Sequence, residues 1–183
     1  MTNTNFPKKT MEELNRLSKE EAKSSGHFPI VILLDDVRSM HNVGSAFRTA
    51  DAFAVEKMVL CGYTPQPPHR DIHKTALGAT DTVAWHYEQD ISAVLAQLKE
   101  EGYKLFAIEQ AHNSIALQDF KIASKEEKMA FVFGNEVSGV SDAALVLCDG
   151  CVEIPQWGSK HSLNISVTVG IVLWEAVKNN AGL

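Results

Sequence analysis

The 183-residue chain has only three cysteines, Cys61, Cys148 and Cys151, too few and too odd in number for a disulfide framework. It has no apolar run near the ~18 to 20 residues that span a bilayer. Its first residues, Met1-Thr-Asn-Thr-Asn-Phe-Pro-Lys-Lys9, lack the apolar core of a secretion signal. These absences point to a cytoplasmic protein with no membrane partner. Base is also scarce: 17 Lys plus Arg stand against 23 Asp plus Glu, a formal charge of -6. Such a balance argues against a protein that coats nucleic acid indiscriminately, so any polyanion must meet a local patch. No Gly-Lys-Ser/Thr completes a phosphate-binding loop, no G-x-G-x-x-G fingerprint is present, and there is no internal repeat or low-complexity segment. Cys148-Asp-Gly-Cys151 has redox or zinc spacing, but no second ligand pair accompanies it. The two are read as small buried side chains and no metal is expected.

What is present suits one compact domain, with 45% apolar composition and length enough for a real core. Thr10-Met-Glu-Glu13 has capping-box spacing and predicts a helix to about Lys23. Ile30-Val-Ile-Leu-Leu34 is a continuous apolar run, the pattern of a strand buried on both faces of a parallel sheet. Asn42 is placed to cap a helix with Ala46, Phe47, Ala50, Phe53 and Ala54 as its buried stripe. Strands are expected over 55–61, 82–86, 103–109, 129–133 and 151–154, and helices from Asp90 to about Glu101 and from Ser141 or Asp142 to Leu147. Residues 63–71 form a proline-rich loop, and 114–120 a connector with a short turn. Six short strands alternating with helices predict an α/β fold with a mostly parallel sheet.

Near the C-terminus, Leu163 to Ile171 alternates apolar with polar, which taken alone predicts a strand. The run continues through Val172, Leu173, Trp174 and Val177 to Lys178, however, a length ordinary for a helix and long for a strand. Read as a helix it is apolar nearly all round, so it must be covered on more than one side. Val169 and Leu173 are expected in that cover, core or interface. Ser166 and Gly170, spaced i,i+4, make a groove for a close helix contact.

Three polar clusters follow strand ends, where open α/β sheets bind ligands. In Asn42-Val-Gly44-Ser-Ala-Phe-Arg48, Gly44 leaves room beside a guanidinium suited to phosphate or a sugar hydroxyl, although this segment taken alone favours a surface Arg48 paired with Asp51. Phe133-Gly134-Asn135-Glu136-Val-Ser-Gly139 runs a buried strand straight into glycine, amide and carboxylate. Ile154-Pro155 through Gly158 to Ser162-Leu163-Asn164-Ile-Ser166-Val167 joins an irregular loop to the terminal helix, which Ser162 and Asn164 could simply cap.

Together these clusters resemble the three motifs of the SpoU, or TrmH-like, RNA ribose methyltransferases of the SPOUT superfamily, in order and spacing, from about Ile30 to Val177. Thr168 departs from that pattern, standing where alanine is usual. The resemblance implies a methyltransferase domain over 29–183 preceded by an extension, 1–28, with one helix. It implies a deep C-terminal trefoil knot and a homodimer. The implied reaction moves a methyl group from S-adenosylmethionine to a ribose 2'-hydroxyl of tRNA or rRNA. The cofactor would lie against Phe133, Gly134, Asn135, Ile154 and Leu163. Arg48, Asn42, Glu136, Ser162 and Asn164 would form the catalytic group, Arg48 and Asn42 facing RNA. His69, Arg70, His73 and Lys74 form the candidate basic patch, joined by Lys160 and His161. The competing readings are a non-catalytic RNA-binding or assembly module with the same fold, and a small-molecule enzyme using Cys148 and Cys151.

Overall fold

Five consecutive side chains from Ile30 to Leu34 are wholly buried, and they form the centre of β1 (Phe28–Asp35). In the computed structural model, which describes residues 5–10, 12–14, 17–124 and 126–181, β1 pairs in parallel with β2 (Val55–Cys61) and β6 (Met129–Phe133). Outward from these lie β3 (Ala84–Glu88) beside β2, then β4 (Lys104–Ile108), β7 (Gly150–Glu153) and β5 (Ile115–Ala116) beside β6. The sheet has seven strands in the order β3-β2-β1-β6-β4-β7-β5, all parallel. The seventh strand, β5, falls in the stretch expected as a connector. Two residues long and with Ile115 largely exposed, it has no apolar run that could mark it.

Side chains alternate across β1, so Ile30, Ile32 and Leu34 join one core layer while Val31 and Leu33 join the other. Each fully buried aliphatic side chain contributes about 1.5–3 kcal/mol. Against the first layer pack α2 (Met40–Ala52) and α6 (Ile165–Ala181), against the second α4 (Ile91–Glu100) and α5 (Asp142–Leu145). The stripe of α2 is Val43, Ala46, Phe47 and Ala50; Phe53 and Ala54 lie in the turn that follows. Its N-cap is Ser39, whose hydroxyl accepts from the Asn42 N–H at 3.3 Å, rather than Asn42 itself.

A seven-residue helix, α3 (Arg70–Ala76), begins in the last two residues of the expected proline-rich loop and continues past it, where no helix was expected. It is too short to show a period and exists through packing: Ile72 and Ala76 are buried against α2. Gly44 permits the approach, since a Cβ there would lie 2.1 Å from Thr75 Oγ1 and 2.3 Å from the Ile72 carbonyl oxygen. The bare α-carbon is therefore filled by α3 and leaves no room beside Arg48.

The expected helix from Thr10 to Lys23 is not continuous. Thr10 and Glu13 do exchange capping hydrogen bonds, but they close a single turn; Met11, Asn15 and Arg16 lie outside the described residues. The regular helix, α1 (Lys19–Ser24), starts after its own capping box between Ser18 and Glu21. Lys19 pairs with Asp81 at 2.7 Å.

The helical reading of the terminal segment holds, and α6 has two unlike faces. The buried set is Ile165, Val169, Val172, Leu173 and Ala176, one stripe by helical spacing. Val167, Ile171 and Trp174 point outward. Val169 and Leu173 thus belong to this chain's own core. Leu173→Asp buries an unpaired carboxylate and should cost about 3–5 kcal/mol. Thermal melting should show that loss as global unfolding, whereas a variant that keeps its melting point would place Leu173 outside the core.

Candidate active site

The ends of β6, β4 and β7 lie side by side, and the segments leaving them enclose a cleft of about 490 Å³, inside the roughly 300–1,000 Å³ range of small-molecule sites. Phe133, Gly134, Asn135, Ile154 and Leu163 all line it, as do Glu136, Ser162 and Asn164.

The chain leaves β6 through a crossing of two glycine segments. A Cβ on Gly134 would fall 2.1 Å from both Gly139 C and Val140 N. Gly139 has φ 72°, a conformation that favours glycine. Asn135 and Gly139 exchange two backbone hydrogen bonds of 2.9 Å. The Asn135 side chain is buried and committed to this loop: its Oδ1 accepts from Val137 N–H and Ser138 N–H, and its Nδ2 donates to the Asp36 carbonyl at 2.7 Å. Beside it, Asp35 Oδ2 accepts from Ser141 N–H at 2.8 Å. These bonds close the crevice between β1 and β6, and the open cleft is displaced toward β4 and β7.

Glu136 reaches back over the start of α2. Its carboxylate accepts from Arg38 N–H and Ser39 N–H, each at 3.1 Å, and from Asn42 Nδ2 at 3.0 Å. Asn42 Oδ1 in turn accepts from Asn164 Nδ2 at 3.1 Å. Asn164 Oδ1 accepts from the Ser166 N–H at 2.9 Å and its hydroxyl at 2.6 Å, at the opening of α6. All three clusters are therefore joined in one chain of hydrogen bonds, Glu136–Asn42–Asn164, with Asn42 as a bridge. Ser162 stands exposed on the cleft wall.

Partial burial disfavours the Glu136 charge, but the donors of Arg38, Asn42 and Ser39 outweigh it and hold the carboxyl below its ordinary 4.5. A group whose folded pKa is depressed stabilises the fold above its unfolded value and loses that contribution as pH falls through the folded one. The Glu136 carboxyl should therefore titrate below 4.5 in a carbon-detected NMR experiment, with the Asn42 side-chain amide signals shifting in step. A midpoint at or above 4.5 would contradict the network.

Glu109 and Gln110 were not among the expected site residues, yet both line the cleft. Glu109 Oε2 accepts from Val140 N–H at 3.0 Å and lies against the Gly139 α-carbon. Gln110 Nε2 donates to the His161 carbonyl at 2.7 Å, tying the 154–164 loop to the end of β4. Their one sequence signal is position, the first polar residues after a buried strand.

Arg48 does not line this cleft. It is exposed in a shallow groove between α2, α3 and α6, with Ser45, Thr49, Lys74, Thr75 and Ser166. Ser166 and Gly170 of α6 face this groove, while Asn164 and Thr168 face the cleft. Asp51 does not pair with Arg48; it accepts from Thr82 Oγ1 at 2.5 Å. Arg70, His73 and Lys74 are exposed on α3. His69 is half-buried as the α3 N-cap, its Nδ1 accepting from Asp71 N–H at 3.2 Å. Lys160 and His161 are exposed on the 154–164 loop.

Burial pushes the Cys148 thiol up to about 11 and raises Cys151 as well, the reverse of what a thiolate nucleophile needs. Among the described residues no group of three or more His, Cys, Asp or Glu side chains is placed to hold a metal ion.

Residues 29–174 match the SpoU rRNA Methylase family. The chain is 31% identical over 147 residues to the 23S rRNA (guanosine-2'-O-)-methyltransferase RlmB of Neisseria meningitidis serogroup B, a match covering 80% of this chain and 57% of that protein. It is also 31% identical over 173 residues to the tRNA (guanosine(18)-2'-O)-methyltransferase of Thermus thermophilus, covering 93% and 87%. The fold is that of the AdoMet-bound rRNA methyltransferase of Sinorhizobium meliloti, with a TM-score of 0.75 at 24% identity over 88% of this chain and 60% of that one.

Proposed function

The chain belongs to the SpoU rRNA methylase family, and from that membership we propose that it transfers a methyl group from S-adenosylmethionine to a ribose 2'-hydroxyl of tRNA or rRNA. The observation that carries the proposal is the Glu136–Asn42–Asn164 chain on the rim of the cleft. Three segments far apart in sequence meet there with their polar groups directed at one another.

The cleft suits the donor in size and chemistry. Crossed glycines leave main chain bare at Gly134, Ile154 and Leu163 supply apolar wall, and Asn135 holds the loop rigid. S-adenosylmethionine, when bound, supplies an electrophilic methyl on a sulfonium leaving group, so the protein's work is alignment and activation of a poor nucleophile. RNA laid across the start of α6 would bring its ribose to the cleft and its phosphates to the groove of Arg48 and Lys74. A guanidinium donates and is not a base, so Arg48 stabilises the developing alkoxide or the adjacent phosphate, and the hydroxyl proton leaves to phosphate or solvent. Glu136, saturated by donors, orders Asn42 rather than accepting that proton.

The proposal includes a homodimer, a C-terminal trefoil knot and a cytoplasmic location. Supporting the dimer, Val167, Ile171 and Trp174 form an outward apolar stripe at i, i+4 and i+7 on α6. Wild type should sediment above its 20.1 kDa monomer mass, and Ile171→Glu should sediment as a monomer while keeping its far-UV helix signal. The knot rests on family membership, together with the tie from Gln110 to the 154–164 loop and the packing of α6 back on α2. An extension over 1–28 followed by a methyltransferase domain over 29–183 belongs to the same proposal, with Phe28 already in β1 and Lys19 paired to Asp81.

Calorimetry with S-adenosylmethionine, transfer of labelled methyl into tRNA and rRNA, and sequencing-based mapping of ribose methylation with and without the protein test the reaction. Binding of RNA with no affinity for S-adenosylmethionine would instead make the chain a non-catalytic RNA-binding module.

A further inference from the structure

Trp157 is the most exposed large apolar side chain of the catalytic half, 92% accessible. It is not at a frayed end. Its neighbour Gln156 lines the cleft, so the Trp157 α-carbon lies about 3.8 Å from a cleft-wall residue. The loop that carries it is held on both sides, by Ile154 in the cleft wall and by the Gln110 bond to the His161 carbonyl at 2.7 Å. The next residue, Gly158, would have nothing within 4 Å of an added Cβ, so the loop stands clear of the body around the indole. Lys160 and His161 are exposed three and four residues on. A second apolar residue of the rim, Val137, is 91% exposed and belongs to the loop that leaves β6.

We propose that Trp157 is a stacking platform for an unpaired nucleobase flanking the ribose that reacts, an assignment that rests on reading the cleft as an RNA methylation site. An isolated indole among glycine, serine, lysine and histidine is the composition of a single-strand binding surface, in which stacking supplies affinity and nearby cations meet the backbone. It does not suit a second copy of this chain, because the contiguous apolar stripe available for that contact is on α6 at Val167, Ile171 and Trp174. Stacking also fits the charge balance. With a formal charge of -6, the chain has few phosphate contacts to spend, and a base face gives affinity that does not depend on them.

The test compares Trp157→Ala and Trp157→Phe with wild type in methyl transfer to bulk tRNA and rRNA. Trp157→Ala should raise KM for RNA roughly 5- to 100-fold, with kcat and S-adenosylmethionine affinity unchanged, and Trp157→Phe should recover most of the loss. A short oligouridylate should quench tryptophan fluorescence in wild type far more than in Trp157→Phe. Unchanged KM in Trp157→Ala overturns the platform while leaving the methylation reading intact. A shift in sedimentation with normal RNA affinity overturns it in favour of a protein contact. If wild type transfers no methyl to RNA, the methylation reading fails, and the quenching comparison still decides whether Trp157 stacks on a base.

Discussion

On the proposed reaction, Arg48→Ala should lower methyl transfer at least ~100-fold and leave S-adenosylmethionine affinity within a few fold of wild type, the scale expected when a charge-stabilising group is lost. The split follows from position. Arg48 opens onto the groove of Lys74 and Ser166, outside the cleft lined by Gly134, Ile154 and Leu163, so removing it takes nothing from the walls of the cleft proposed for the cofactor. Among the described residues no carboxylate pairs with its guanidinium, and its nearest sequence candidate, Asp51, is engaged by Thr82. The cation is therefore free to meet a phosphate or an alkoxide. Arg48→Lys keeps the charge and loses the planar fork, so it should recover part of the rate. Near-normal turnover in Arg48→Ala, measured as initial rates at saturating cofactor, removes Arg48 from the mechanism.

Gly134→Ala should abolish cofactor binding and destabilise the fold together. The added methyl group would sit 2.1 Å from Gly139 C and Val140 N and 2.3 Å from the Gly139 carbonyl oxygen. These are backbone atoms of the returning segment, held by the paired Asn135–Gly139 bonds and by Glu109 on the Val140 N–H. No side-chain rotation relieves the clash, so the loop must open, at a cost of about 3 kcal/mol or more. For a chain of this size that corresponds to a fall in Tm of roughly 6–12 °C. Opening also separates Glu136 from the start of α2 and releases Asn42. Gly158→Ala is the matched control, because nothing lies within 4 Å of its added Cβ, and it should melt and bind as wild type does. A Gly134→Ala protein with wild-type Tm and calorimetric binding would disprove the crossing.

The interior strands were legible because they are buried on both faces. Ile30 to Leu34 and Met129 to Phe133 are unbroken apolar runs, Val55 to Cys61 is apolar from Met58 onward, and the observed positions of all three agree with the reading. At the edge of the sheet β3 follows an exposed and half-exposed alternation, and it starts two residues later than expected. For α6 the local alternation pointed to a strand. Length decided for a helix, and the apolar surplus that confused the period is explained by its two faces, one in the core and one outward.

The sequence by itself determined the layered α/β plan, the family and the three polar clusters, because each is carried by a contiguous run or by fixed local spacing. Only the tertiary structure decided what the clustered residues do. Asn42 is a bridge rather than a cap because Glu136 and Asn164, 94 and 122 residues away, meet its amide. Gly44 packs against α3, and Arg48 and the cleft open on opposite sides of the start of α6. The reason is that a polar side chain has several satisfactory partners of equal chemistry, and which one it takes is set by the packing that brings distant segments within hydrogen-bond reach.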